Sequence, residues 1–301
     1  MIPVLNRVRL DVAATLILET GWTMEWAPDG ATHLTDLKGW TGSTGIRRDG
    51  AARLGAHGSH SERGWKDDRL ISAYGHHTAA SRRDAAIYAR DLAGFLGDGT
   101  EGTLKVDDVD LGPMSAEVYL TGDGVDLDGW KGGRDVPFTI HMVATDPRKY
   151  GTAILSPSIG VPVIGGGLFT EPLFKSDDGL TDGFLNFGDP GETGKVSLTN
   201  EGSADTGPVF TVTGDYVPGF IITERSTGRR IVFSGTILTG QTLVIDSNTG
   251  AAMLDGYASR STQLVVSEWV RLGPGQTAEW LFESAGSTNA SLQVKVTPAW
   301  W

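Results

Sequence analysis

The sequence contains no cysteine, so it offers neither a disulfide nor a thiolate site, as expected of a protein assembled in a reducing cytoplasm. It also lacks an excess of positive charge, because the formal net charge is -12. Nucleic-acid readout is not expected, since phosphate binding needs a basic face. Long apolar runs are missing as well, and membrane insertion is therefore not expected.

Glycine, in contrast, is abundant, with 42 of the 301 residues. The apolar runs are short and are separated by Gly, Asp, Asn and Pro, which is typical of an all-β chain. A chain of this length can bury one large core or two ordinary ones, and its length favours two domains. The composition therefore predicts a mainly β protein with two domains.

One segment has the pattern of a helix, SRRDAAIYARDLAGFLGDG at residues 81–99. Ser81 is a suitable N-cap, Asp84 completes a capping-box pattern, and Gly97 is expected to end the helix. Apolar residues recur at spacings of three and four and predict one buried face. They are Ala85, Tyr88, Leu92, Phe95 and Leu96.

The other elements of the first half are predicted to be strands. In residues 137–145, Phe138, Ile140, Met142 and Ala144 alternate with more polar neighbours, so one face is suited to a core. We expect residues 1–150 to form an N-terminal β-barrel or sandwich with one α-helix.

Residues 151–190 are interrupted by Pro, Gly and Asp-Asp-Gly, and they are expected to form a linker or crossover. From residue 191 to 301 the pattern predicts about eight short strands with turn signals roughly every ten residues, as in a β-sandwich. Residues 226–228 and 248–250 are predicted hairpin turns.

Four stretches resemble a known family in their order and spacing. They are DPRKYG at 146–151, NEGSADTGPVFTVTG at 200–214, TGRRIVFSGTILTGQTLVIDSNTG at 227–250, and EWVRLGPGQTAEWLF at 268–282 with its Pro-Gly turn. Together they resemble the distal tail protein of siphoviruses, a minor tail protein of the tail tip, particularly versions from phages of actinobacteria. The resemblance covers nearly the whole chain, and its motifs are structural rather than chemical.

The resemblance implies a structural protein of the virion, assembled in the host cytoplasm. It implies a hexameric ring, in which the first domains join around the tail channel and the second domains, jelly-roll or galectin-like sandwiches, project outward. The implied partners are other copies of the chain, the tail-tube protein, the tail-tip hub and the receptor-binding proteins. No cofactor and no enzymatic activity are implied.

The basic and aromatic cluster after residue 145 is expected to be architectural. Asp146 and Pro147 end the preceding strand, because proline removes a ladder donor and fixes φ. Arg148, Lys149 and Tyr150 then lie at the predicted interdomain junction. A solvated turn is the alternative, and no nucleophile with a nearby general base favours catalysis.

Charge is distributed unevenly in the first half. Residues 45–66 carry five basic residues against two acidic ones, whereas residues 98–128 carry nine acidic residues against one lysine. A closed ring brings different faces of neighbouring copies together, so opposite charges there would set the register. The expected interface residues are Arg47, Arg48, Arg53, Arg63, Asp107, Asp108 and Asp110. The alternative is that both are solvated faces.

Two groups of residues are candidate metal ligands. His57, His60, His76 and His77 lack helical zinc-site spacing and a cysteine partner. Residues 122–135 resemble a calcium loop, but glycine at position 124 and aspartate at position 135 depart from the pattern. No metal is expected, with calcium as the alternative for the second group.

The nine tryptophans raise a second hypothesis for function. Sugars stack on exposed aromatic faces, and β-sandwiches are common carbohydrate-binding scaffolds. The competing prediction is therefore an adhesion module that recognises host cell-wall glycans through the C-terminal sandwich. Trp300 and Trp301 are the expected contacts to a glycan or to a partner.

Overall fold

The computed structural model describes residues 8–12, 22–24, 32–48, 50–60, 63–97, 99–108, 112–162, 174–175, 184–185, 194–284 and 289–301. The chain forms two compact units, Met1–Thr152 with Trp300–Trp301, and Ala153–Ala299. The described residues are mainly β with one α-helix, as predicted. No helix of the described residues is long and apolar enough to cross a membrane.

The N-terminal unit is built on one antiparallel sheet with strand order β2-β1-β7-β8-β9-β6-β3. Its elements are β1 (Val8–Val12), β2 (Trp22–Met24), β3 (Thr32–Lys38), β4 (Ile46–Arg47), β5 (Trp65–Lys66), β6 (Arg69–Thr78), α1 (Arg82–Ala93), β7 (Gly102–Asp108), β8 (Gly112–Asp126), β9 (Asp135–Ala144) and β10 (Lys149–Tyr150). Among the described strands no ladder joins β2 to β3, so the sheet does not close into a barrel.

The core of this unit lies between the sheet and the segment that contains α1. The predicted inward face of β9 is confirmed, because its four apolar residues from Phe138 to Ala144 are all buried. The N-cap is confirmed too, since Ser81 Oγ accepts a hydrogen bond from the Asp84 N–H at 3.1 Å. The predicted helix end at Gly97 is wrong, because Gly94 caps the helix and donates to Asp91 O at 3.1 Å.

The C-terminal unit is a sandwich of two antiparallel sheets, ordered β11-β26-β16-β21-β22-β23 with β12 also on β26, and β15-β25-β18-β19-β24. Its elements are β11 (Ile154–Leu155), β12 (Ile159–Gly160), β13 (Phe174–Lys175), β14 (Phe184–Leu185), β15 (Lys195–Thr199), β16 (Val209–Thr213), β17 (Tyr216–Val217), β18 (Phe220–Glu224), β19 (Arg230–Phe233), β20 (Ile237–Leu238), β21 (Thr242–Asp246), β22 (Ala251–Leu254), β23 (Ala258–Ser259), the 3-10 helix Ser261–Gln263, β24 (Leu264–Ser267), β25 (Thr277–Glu283) and β26 (Ser291–Val296). Residues of both sheets form one continuous apolar core, in which Phe210 meets Trp280 edge to face. The last strand, β27 (Ala299–Trp300), pairs with β10 and belongs to the sheet of the N-terminal unit.

Both predicted hairpin turns of the sandwich are confirmed. Gly228 and Gly250 have positive φ and lie in the β18–β19 and β21–β22 connections. The buried Glu224 organises the first turn, because its carboxylate accepts hydrogen bonds from the N–H and hydroxyl groups of Ser226 and Thr227. Burial raises the pKa of Glu224, but these hydrogen bonds outweigh it and leave the pKa below its ordinary value.

Candidate functional site

The cluster after β9 is organised by the carboxylate of Asp146. Its Oδ1 accepts hydrogen bonds from the backbone N–H of Arg148 at 3.1 Å and from Arg148 Nε at 2.8 Å. Its Oδ2 accepts from Arg148 Nη2 at 2.7 Å and from the Tyr150 hydroxyl at 2.6 Å. Both oxygens therefore accept hydrogen bonds from donors of the same turn, and the carboxylate stabilises the conformation of that turn.

The protonation of Asp146 follows from the same contacts. Burial raises the pKa of this carboxyl group, whereas the hydrogen bonds and charge of Arg148 and the Tyr150 hydroxyl lower it. The net pKa is below the ordinary value for aspartate. The group therefore stays ionised at neutral pH, as a structural anion.

Lys149 points away from that network into the protein and is 8% exposed. Its Nζ donates to the carbonyl oxygen of Trp40 at 3.2 Å and lies 5.7 Å from the centre of the Trp40 ring. Burial lowers the pKa of Lys149, and the nearby charge of Arg69 lowers it further. One buried cation thus connects β10 to the loop that follows β3.

Arg69, at the start of β6, is a second buried cation, with 1% exposure. Its guanidinium donates to the carbonyl oxygens of Gly39, Trp40 and Gly42 at 2.8, 3.1 and 2.8 Å, and to that of Pro147 at 2.9 Å. No ion pair of the described residues includes Arg69. Arg69 therefore ties residues 39–42 to the predicted junction through neutral acceptors alone.

Trp300 and Trp301, the expected glycan or partner contacts, belong to the N-terminal unit. A Cβ atom added to Gly151 would lie 2.5 Å from Trp300 Cζ3, so the ring approaches the backbone at a position where only glycine fits. The Lys66 Nζ lies 5.6 Å from the centre of the Trp301 ring. The prediction that these tryptophans contact a glycan is not tested by this placement.

The basic segment 45–66, called the arm below, is a hairpin. Strand β4 pairs with β5, and Ala52 bridges to Ser59 nearer the tip. The Arg63 guanidinium lies 4.8 Å from the centre of the Trp65 ring. The four arginines expected at an interface are all exposed: Arg47, Arg48, Arg53 and Arg63.

The acidic residues of the first half do not form one surface. Asp107 and Asp108 are the last residues of β7, and Asp110 lies outside the described residues. Asp126 ends the 15-residue strand β8, which begins at Gly112. An irregularity between Leu120 and Val125 takes three residues out of the regular ladder, so at about 3.3 Å per residue the two ends of β8 are roughly 36 Å apart. The predicted interface includes only the acidic residues near the first end of β8, Asp107, Asp108 and Asp110, and not Asp126.

The candidate metal ligands that the structure describes do not come together in a metal site. Within the part of the chain that is described, no three His, Asp or Glu side chains are arranged to hold a metal ion. His77 stacks on Tyr88 with ring centres 3.8 Å apart, and its Nδ1 is 2.6 Å from Thr32 Oγ1. Asp126 Oδ1 accepts from the Asp128 N–H at 2.8 Å and so shapes the β8–β9 connection.

The motif that opens the second half depends on Asn200, which is fully buried. Its Nδ2 donates to the carbonyl oxygens of Ala204, Leu272 and Gly273, and its Oδ1 accepts from the Gly202 N–H. A Cβ at Gly202 would lie 1.9 Å from the Ala299 carbonyl oxygen. The Asn-x-Gly spacing is therefore required by hydrogen bonding and by close backbone approach.

The later motifs also fix the backbone of loops through hydrogen bonds. The Asn248 side chain accepts from the Gly207 N–H at 2.9 Å and donates to the Gly207 carbonyl oxygen at 3.0 Å. The predicted Pro-Gly turn precedes β25, with Gly275 at φ +65. The N–H of Gly275 donates to the Asn200 carbonyl oxygen at 2.9 Å. Three of the four resembling stretches thus meet around Asn200 and Gly207.

Comparison with protein families gives a match in the second half of the chain. Residues 201–300 match the family model of the siphovirus-type tail component, C-terminal domain. A comparison with curated proteins finds no match in sequence.

Solved structures share the fold over most of the chain. The Dit protein of phage SPP1, whose structure is described as a paradigm of hub adsorption apparatus in phages that infect Gram-positive hosts, matches with a TM-score of 0.61 and 12% identity, over 90% of this chain and 94% of that one. A chain of the phage P2 baseplate in its activated conformation with calcium matches with a TM-score of 0.52 and 11% identity, over 98% of each chain. The same baseplate with strontium gives 0.52 and 10%, over 96% of this chain and 97% of that one.

The fold, the residues around Asn200 and the family match agree with one another. Residues 201–300 are similar to the C-terminal domain of siphovirus-type tail components, and the predicted resemblance of the chain to siphovirus distal tail proteins is confirmed.

Proposed function

We propose that this protein is a ring-forming distal tail protein, which joins the tail tube to the tail-tip hub and to the host-recognition proteins. One observation carries the proposal: a chain whose residues 201–300 match the tail-component family also has the fold of the SPP1 Dit protein over 90% of its length. The proposed location is the tail tip of the virion, after assembly in the host cytoplasm. The proposed ring contains six copies.

The exposed arm supports assembly into a ring. A ring uses head-to-tail contacts, in which one surface of a copy meets a different surface of the next. The arm offers exposed arginines on a chain that is otherwise strongly acidic. Opposite charges at such a contact would fix the orientation of each copy and speed association.

A purely mechanical role is supported by how the half-buried carboxylate of Asp146 and the buried carboxylate of Glu224 are used. Both oxygens of Asp146 accept hydrogen bonds from Arg148 or Tyr150, and those of Glu224 accept from the turn that follows it. A general base needs a lone pair directed at a substrate. We therefore propose that the protein acts through its contact surfaces, without making or breaking a bond.

Residues 146–150 are proposed to fix the course of the chain where it leaves the N-terminal unit. The Asp146 network closes the turn, and Lys149 and Arg69 hold it to residues 39–42. This role is architectural, and it agrees with the predicted junction. A solvated turn would not need two buried cations.

The proposal is tested by measuring the mass of the purified protein in solution. Mass photometry across a concentration series, at low and at high salt, is expected to show a species of six chains that weakens as salt rises. Negative-stain images should show rings with a central hole. Monomers at every concentration, both alone and with preassembled tail tubes, would contradict the proposal.

A further inference from the structure

The tip of the arm presents an unusual pair of neighbouring side chains. Leu54 is 102% exposed, the largest exposed fraction among the large apolar side chains described, and Arg53 beside it is exposed as well. The described residues from 50 to 60 are all exposed, so no other described residue covers the tip. A fully exposed leucine next to an arginine is suited to an acidic groove with apolar walls.

Such a groove lies on the outer face of the sheet of the same unit. Asp36 pairs with Tyr74, Tyr74 with Thr139, and Thr139 with Asp126, so these four side chains form one cross-strand row. Tyr74, Thr139 and Asp126, with Pro137, line an open groove of about 340 Å³. The groove therefore has an aromatic and a proline wall and a carboxylate at its edge.

The charge at the groove edge is mainly negative. Asp126 uses Oδ1 to hold the Asp128 N–H, and its Oδ2 accepts no hydrogen bond from the described residues. Asp123 and Asp128 are exposed close by in the chain. Two lysines also lie near the groove, but each already contacts another group of the same copy. Lys38 pairs with Asp36 at 3.9 Å and lies over Tyr74, and Lys131 donates to the Asp128 carbonyl oxygen.

Topology places the arm and this acidic edge on different parts of the unit. The arm leads directly into Arg69, and Arg69 pairs with Ala144 at the end of β9. The Asp107–Asp108 end of β7 lies beyond that same end of the sheet, because Tyr119 of β8 already pairs with Val143. Asp126 lies at the far end of β8, and a head-to-tail contact needs two such separate surfaces.

We propose that the arm tip of one copy docks into the Tyr74–Thr139–Asp126 groove of the next copy. Leu54 packs against Pro137 and Tyr74, and Arg53 pairs with the carboxylates of Asp126 and Asp123. The acidic partner of the arm is thus the far end of β8 rather than Asp107, Asp108 and Asp110. The inference deepens the proposed function, and it depends on ring assembly.

The absence of cysteine from the chain permits a direct test by disulfide trapping. In the variant with Leu54→Cys and Thr139→Cys, mild oxidation of the assembled protein is expected to give a ladder of linked multimers on a non-reducing gel. Either single variant should give no species beyond a dimer. The matched control pairs Leu54→Cys with Ile87→Cys, which is 40% exposed on α1. This control should give no ladder.

The outcomes separate this inference from the proposed function. Rings without a Leu54–Thr139 ladder, or with an equal ladder from the Ile87 control, would overturn the docking site and leave the ring intact. Monomers under all conditions would overturn both.

Charge reversal gives a second readout that needs no cross-link. Asp123→Arg is expected to weaken assembly by about tenfold, and Asp108→Arg, at the other acidic end, to leave it unchanged. Combining Asp123→Arg with Arg53→Glu should restore most of the loss. A larger effect from Asp108→Arg than from Asp123→Arg would overturn the assignment.

Discussion

The two units bury polar groups in opposite ways. The N-terminal unit encloses two cations, Arg69 and Lys149, whose hydrogen-bond acceptors are backbone carbonyl oxygens. Among its described residues, the C-terminal unit encloses one anion, Glu224, and one neutral amide, Asn200, and the polar side-chain atoms of both are hydrogen-bonded. Burying a charge is costly unless it is well bonded, so the two units are expected to differ in how mutation and pH affect them.

The difference also concerns what surrounds these groups. Asn200 and Glu224 belong to turns that border one continuous apolar core between two sheets. Arg69 and Lys149 hold the loop that leads into the exposed arm and the turn that ends the unit. The C-terminal unit therefore uses buried polar groups to fix its own sandwich, and the N-terminal unit uses them to hold the bases of its projecting segments.

The largest effect is expected from Asn200→Ala. Four hydrogen bonds of the buried amide are removed, three to the carbonyl oxygens of Ala204, Leu272 and Gly273 and one from the Gly202 N–H, although Leu272 O and Gly273 O each keep a backbone donor. At about 1 kcal/mol for each bond, the C-terminal unit should lose about 4 kcal/mol of unfolding free energy. Urea denaturation followed by tryptophan fluorescence measures the loss. The matched control Asn248→Ala removes hydrogen bonds from a more exposed amide and should cost about 1 kcal/mol. Equal losses in the two variants would contradict the role of Asn200.

Arg69→Met is expected to have the second-largest effect, a loss of about 3 kcal/mol of unfolding free energy that is confined to the N-terminal unit. Four carbonyl oxygens lose a charged donor, and the gain from removing a buried cation offsets only part of this. Hydrogen exchange by mass spectrometry should show faster exchange at residues 39–48 and 146–150 and unchanged exchange in the sandwich. Uniformly faster exchange would mean that Arg69 does not act locally.

Glu224→Gln is expected to cost about 2 kcal/mol at pH 7, because the amide accepts only part of the hydrogen bonds. The folded pKa of Glu224 is below its ordinary value of 4.5, so its stabilisation is present above that pH and is lost as the pH falls through the folded pKa. The difference in unfolding free energy between the Glu224→Gln variant and the unchanged protein should therefore become smaller in acid. A difference that stays constant down to pH 3 would refute this assignment.

The smallest effect is expected from Lys149→Met, within about 1 kcal/mol of the unchanged protein. Lys149 makes one hydrogen bond in a buried place, so an apolar side chain of similar length can replace it. The folded pKa of Lys149 is below its ordinary value of 10.5, so stability should rise as the pH increases towards 10.5. The variant should lack that rise, and a loss as large as that of Arg69→Met would show that the two cations are equivalent.

Much of the fold was predictable because it follows local rules. Period-two alternation identified β9 and its buried face, and Ser81 with Asp84 identified the start of α1. The end of α1 was misplaced because Gly94, nearer than Gly97, already satisfies the cap. The hairpin of the arm was not predictable, because strands β4 and β5 have two residues each and leave no periodic pattern.

The site was predictable only in part. Asp146 and its neighbours stand together in the sequence, but Arg69 is 78 residues away from Pro147, the acceptor it bonds. One signal was available, because Arg69 is in phase with the buried Ile71 and Ala73, whereas Leu70 between them is exposed. The acidic residues were counted as one surface because the sequence does not show that β8 carries its two ends far apart.

The return of Trp300 to the N-terminal unit has a consequence for biosynthesis. The first 152 residues leave the ribosome long before Trp300, which fills the space left at Gly151. The N-terminal unit therefore completes its packing only after the sandwich between them has been synthesised. Until Trp300 has been added, the space beside Gly151 in the first unit therefore stays unfilled.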